Sequence, residues 1–197
     1  MAPEDGARAD LYALISALFF SPPNAALLAA IARSDVVGPS SDSALGSAWR
    51  ALQEASAGTA PETAAREFEQ GFVSAGLARI PLHATYYTAK SGDQEPMVQL
   101  LHALGGLGIA KRAPVAETED HLSALCDVMR LLVAGDAVRA PQALAVQREF
   151  FEQQLAPWYD TLRMAIAAAE DLRFYGAVAA LMGEFFDLER QSFEIDD

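Results

Sequence analysis

Glu117-Thr118-Glu119-Asp120-His121-Leu122 gathers three carboxylates and an imidazole within five residues. Glu117 lies four residues before His121, so on a helix the two side chains would share a face. A carboxylate beside an imidazole can raise the histidine pKa, orient the ring, or supply half of a metal site. The same residues also make a capping cluster, because acids favour a helix N-terminus and Thr118 can cap. Spacing alone leaves both readings open. A carboxylate-bridged di-metal bundle would need two Glu-x-x-His motifs on inward faces, and the chain has none. His83, His102 and His121 lack the short spacing of a zinc site. Walker A, GxGxxG and GxSxG motifs are missing. The single cysteine, Cys126, falls in the apolar pattern Leu122, Leu125, Cys126, Met129 and reads as a buried thiol. No catalytic residue, metal or cofactor is therefore expected, although a metal-dependent helical enzyme built on Glu117, Asp120 and His121 stays open as an alternative.

Two other features suit binding. Tyr86 and Tyr87 follow Pro81 in a stretch, Ser74 to Glu95, that has no sustained helical period. Aromatic rings with polar tips serve either a groove or a loop pinned to a core. Gln147 to Trp158, QREFFEQQLAPW, is an apolar helix ending on a Pro-Trp pair. Its Phe150, Phe151 and Leu155 fall at core spacing, with Trp158 as a large anchor. His102, among Leu100, Leu101 and Leu104, reads as a helix residue near the core.

The elements that must position these residues are helical. Ala and Leu dominate a chain of 197 residues that is 52% apolar, long enough to bury a real core. Helices are expected at about 7–20, on to about Ile31 after Ser21-Pro22-Pro23, at 44–57, 59–72, 96–104, 118–134, 141–155, 157–169 and 171–190. Ser21 is read as the cap of the second, with Pro22 in its first turn. Gly38 to Ser43 reads as a surface loop. The last helix begins with acids and ends with Arg190, as the helix dipole prefers. Gly105-Gly106-Leu107-Gly108, continuing to Pro114, is a strong breaker and the expected hinge between two halves. The expected architecture is thus one all-α domain of roughly nine helices, with a frayed acidic tail at 191–197.

Formal charge is −13, from 14 basic and 27 acidic residues. Nucleic acid demands a basic face and is excluded. Anionic membranes are disfavoured, and no apolar run reaches the roughly 20 residues of a membrane helix. MAPEDGARAD has acids where a signal peptide would be basic, so a cytoplasmic location is expected. A basic partner would be steered toward this surface.

In this order the motifs resemble the TorD/DmsD family of maturation chaperones. LFFSPP resembles the family's opening Leu-Phe-x-x-Pro. Glu67-Phe68 with Phe72 resembles Glu-aromatic-x-x-Leu-Phe, with Gly71 where leucine is usual. Pro81 and Tyr86 resemble the Pro-aromatic-x-Ser-x-Tyr loop, with Leu82 and Ala84 replacing the aromatic and the serine. Asp120-His121-Leu122 matches Asp-His-Leu. Leu155 and Trp158 match His-Leu-x-x-Trp, with Gln154 replacing the histidine, and Phe174-Tyr175 resembles the opening of the last helix. The resemblance covers nearly the whole chain. It implies a chaperone, not an enzyme, for the catalytic subunit of a molybdenum-containing oxidoreductase. Such a chaperone would bind the twin-arginine leader and the immature client, assisting cofactor insertion before export. It would be a monomer with a domain-swapped dimer through the 105–114 linker. The implied client-binding residues are Asp120, His121, Glu117, Glu119, Tyr86, Tyr87, Pro81, Phe72 and Trp158. Guanine nucleotide, also linked to the family, has no phosphate-cradling loop here.

Overall fold

A computed structural model describes residues 3–34, 43–73, 78–89, 94–110 and 118–195. They form ten helices: α1 Pro3–Phe20, α2 Ala25–Arg33, α3 Ala44–Gly58, α4 Pro61–Phe72, α5 Ala84–Thr88, α6 Glu95–Gly106, α7 Leu122–Ala134, α8 Leu144–Gln154, α9 Tyr159–Ala167 and α10 Arg173–Ile195. Among the described residues there is no strand, only an isolated bridge between His83 and His121. The all-α expectation holds. None of the helices is long and apolar enough to cross a membrane, among the described residues.

Contacts divide the chain into two compact units, Met1–Ser16 with Leu82–Trp158 and Ala17–Pro81 with Tyr159–Asp197. The glycine linker 105–114 lies inside the first unit, not between the two. Its residues 111–114 are outside the described residues, as is nearly all of the Gly38–Ser43 loop.

In the first unit α7 packs on α8. Leu122, Leu125, Cys126, Met129, Leu132 and Val133 are buried along α7, which is the apolar stripe that its spacing demands. Phe150, Phe151 and Leu155 answer from the α8 side. Arg8 of α1 donates to Gln147 of α8 at 3.0 Å. Gly135 closes α7 at φ 69°, ψ −167°, and a Cβ there would strike the Arg139 carbonyl, so glycine is required. His102 is exposed, not near the core. On a helix whose buried residues are Leu100 and Leu104, a residue two after Leu100 points away from them.

In the second unit α10 packs on α3, α4 and α9, and α2 packs on α3. Phe19, Phe68, Phe72 and Tyr175 form an aromatic cluster with centroids 5.0–5.9 Å apart. Fully burying each such ring contributes roughly 1.5–3 kcal/mol. Gln53 of α3 donates to the Ser34 carbonyl at 2.5 Å and secures the end of α2. The cap of α2 is Asn24, accepting from Leu27 N–H at 2.9 Å, and not Ser21. The helix therefore starts after Pro22 and Pro23 instead of on them.

Two further expectations change at α10. Its first turn carries no acid of its own. The negative charge comes from Glu67 of α4, which accepts from Phe174 and Tyr175 N–H. The tail expected to fray continues as helix to Ile195, with Phe193 only 2% exposed. One apolar residue among the acids is enough to dock that turn.

Gly71 is explained by Leu172, whose Cδ1 would lie 2.9 Å from a Cβ at position 71. Leu172 itself is buried. Gly71→Leu, which restores the residue usual in the resembling family, should therefore cost about 1–3 kcal/mol by overpacking. The melting temperature should fall by a few degrees. An unchanged or higher value would mean that Leu172 has room to move.

Candidate functional site

The described part of the acidic cluster sits where two segments of the first unit are stitched together. Ala84 N–H donates to the Asp120 carbonyl at 3.0 Å, and Leu122 N–H to the Leu82 carbonyl at 2.8 Å. The Asp120 side chain completes the stitch. Its Oδ2 accepts from Thr85 N–H at 3.2 Å and from Thr85 Oγ1 at 2.6 Å, while its Oδ1 accepts from the Thr118 hydroxyl. Both oxygens are committed, and Asp120 is 1% exposed. Burial pushes its carboxyl up, but the Thr118 and Thr85 hydroxyls, the Thr85 amide and nearby His83 overcome that and hold it below the usual value.

His121, 6% exposed, is the N-cap of α7. Its Nδ1 accepts from Ser123 N–H at 3.3 Å and lies 2.6 Å from Ser123 Oγ. Its ring meets His83 edge to face at 5.0 Å. The expected helix start at Thr118 is thus four residues too early. The 82–88 segment covers Asp120 and His121 at this helix start. Glu119 is half-buried, and Glu117 lies outside the described residues. Among the described residues no group of three or more His, Cys, Asp or Glu is placed to hold a metal ion.

The aromatic residues form a second layer on the same segment. Tyr87 of α5 stacks on Trp158 at 5.3 Å and 19°. Trp158 is buried, and its Nε1 donates to the Gln154 carbonyl at 2.7 Å. Burial, with Tyr86 adding, pushes the Tyr87 phenol up to about 12, so it stays neutral. Tyr86 sits edge to face on Tyr87 at 5.0 Å and is 52% exposed. α5 packs against α6, whose Val98 and Leu101 are each 46% exposed. From the sequence, Leu101 was named only as a residue of this helix and Val98 was passed over. Three residues apart, they share a helix face that adjoins the buried Leu100 and Leu104.

Asp120, His121, Glu119, Tyr86, Tyr87 and Trp158 thus belong to the first unit. Pro81 and Phe72 belong to the second, both buried, Phe72 within the aromatic cluster. Of the partners that fix Asp120, Thr118 was named only as a possible cap and Thr85 was missed. Thr85 is 35 residues away in sequence, so no local pattern points to it.

No curated protein matches the chain significantly. The family model described as nitrate reductase delta subunit matches residues 39–163, more than half of the chain, from before α3 into α9. With the all-helical fold and the Asp-His-Leu stitch inside the matched span, the chain belongs to the nitrate reductase delta subunit family, TorD-like maturation chaperones of redox enzymes and not enzymes themselves.

Proposed function

We propose that this chaperone binds the N-terminal leader and the immature catalytic subunit of a molybdenum-cofactor oxidoreductase, and delays export or assembly until the cofactor is inserted. The observation that carries the reading is Tyr86. Its ring is half-exposed yet backed by Tyr87, which is itself stacked on buried Trp158. A held aromatic with a polar tip binds at low entropic cost. With Val98 and Leu101 it offers an apolar surface for a leader's hydrophobic segment, laid in as a helix or an extended peptide. Glu119 and the overall charge of −13 favour the basic segment beside it. Asp120 and His121 contribute by holding the 82–88 segment in place, without touching the client.

Calorimetric titration of the chain with a twin-arginine leader peptide from a molybdoenzyme tests this. Tyr86→Ala and Leu101→Ser should each weaken binding about tenfold, equivalent to about 1.4 kcal/mol. Melting should fall only slightly, because both side chains are about half exposed. Glu119→Gln should have a smaller effect, concentrated in the association rate at low salt. Full affinity in both apolar variants would remove this face from the client site. Absence of leader binding in the unsubstituted chain would favour a helical adaptor that recognises some other part of its partner.

A further inference from the structure

α5 spans five residues, too few to hold together as an isolated helix, and it has no side-chain cap. Its orientation therefore depends on what its side chains grip. Thr85 is tied to Asp120 through its amide and its hydroxyl. Tyr87 lies flat on Trp158, with centroids 5.3 Å and planes 19° apart. Two residues apart on a helix, Thr85 and Tyr87 project about 200° from one another, so the two grips act on opposite sides of α5. Tyr86 lies between them in sequence, its ring edge to face on Tyr87 at 5.0 Å. Trp158 is the fixed end of this series. It is 1% exposed, its Nε1 donates to the Gln154 carbonyl at 2.7 Å, and its backbone N–H donates to the Leu155 carbonyl at 3.2 Å. A ring so covered is not itself available to a client.

We propose that Trp158, acting through Tyr87, is a positioning residue for the Tyr86 face and sets client affinity without contacting the client. The inference rests on the client reading of that face. With the stack in place, α5 is held on both sides, and Tyr86 stands in one orientation before the client arrives. Without it, α5 keeps only the Asp120 grip, can roll about Thr85, and presents Tyr86 in several orientations. The client then binds only the chains that hold the competent one, and apparent affinity falls by that fraction. The family resemblance implies Tyr87 and Trp158 as client-binding residues. The stack gives them that role at one remove, with Tyr86 as the residue that meets the client. What the role requires of position 87 is a flat ring and not a hydroxyl.

Double-mutant cycles on the full chain test it, read as Kd for a twin-arginine leader peptide by calorimetry well below the melting temperature of each variant. Trp158→Met removes the flat ring from the buried end of the stack, and Tyr87→Leu removes it from the half-buried end. Each should weaken binding about tenfold, as when about a tenth of the chains hold Tyr86 correctly. Combined with Tyr86→Ala, each should cost under about twofold more than Tyr86→Ala alone, whereas independent contacts would multiply to about a hundredfold. Tyr87→Phe keeps the stack and should bind within about twofold of the unsubstituted chain. If Trp158→Met does not fold, the Tyr87→Leu cycle decides, because that ring is only half-buried. Losses that multiply overturn the proposal, since the stack would then touch the client directly. Full affinity in Tyr87→Leu or in folded Trp158→Met overturns it too. No leader binding by the unsubstituted chain removes the client reading and this inference together, whereas multiplying losses remove this inference alone.

Discussion

Glu67→Ala should destabilise the second unit by about 2–4 kcal/mol, because it leaves two buried amides without an acceptor. Glu67 Oε2 accepts from Phe174 N–H at 2.9 Å and from Tyr175 N–H at 3.2 Å. These are first-turn amides of α10, which have no acceptor within their own helix. The carboxyl is 6% exposed, so water does not readily take its place. Burial raises its pKa, the Tyr175, Phe174 and Arg173 amides pull it down, Asp171 pushes it up again, and the net direction is upward. A raised folded pKa means that its favourable contribution is complete below the unfolded value of about 4.3 and is lost as pH rises through the folded value. Glu67→Gln resembles the protonated group and keeps the acceptor, so it should cost under about 1 kcal/mol at neutral pH. Urea unfolding of the two variants separates them. Equal and small losses would mean that the α10 amides find other acceptors.

The longer helices were legible because each carries its own record, whereas the five-residue α5 lies in the Ser74 to Glu95 stretch that shows no helical period. Leu122, Leu125, Cys126 and Met129 recur at helical spacing whatever lies around them. Phe150, Phe151 and Leu155 do the same. What local spacing cannot contain is a partner from far along the chain. Glu67 caps a helix 107 residues away, so acids near position 171 were credited with a role that a distant glutamate performs. Asp120 was read as a capping or a client-binding acid for the same reason. A carboxylate, a threonine and a histidine before an apolar run look like a helix start, and the covering segment with Thr85 is invisible in that window. Tyr87 and Trp158 were each singled out, but their stacking joins segments 71 residues apart. His102 shows the opposite error. Its apolar neighbours suggested the core, whereas its position on α6 faces it outward.

Asp120→Ala should therefore act first on the fold, with a loss of about 2–4 kcal/mol. It removes the acceptor of the Thr85 amide and of two hydroxyls from a site that is 1% exposed. Hydrogen exchange at the Thr85 amide should accelerate, because that N–H loses its partner while the Ala84 and Leu122 backbone bonds of the bridge remain. Asp120→Asn retains one acceptor oxygen, and the threonine hydroxyls can turn to accept from its amide, so an intermediate loss is expected. The pH dependence has a definite sign. The folded carboxyl lies below its usual value, so its contribution is present above the unfolded value of about 3.9 and is lost as pH falls through the folded value. Acid unfolding near and below pH 4 should steepen in the unsubstituted chain and lose that component in Asp120→Asn. Leader affinity should fall in Asp120→Ala only as far as the 82–88 segment loosens, and a disulfide or ligand that re-orders the segment should restore it. A variant that melts normally but fails to bind the leader would put the carboxylate in direct contact with client arginine, and the buried stitch would then not be its role.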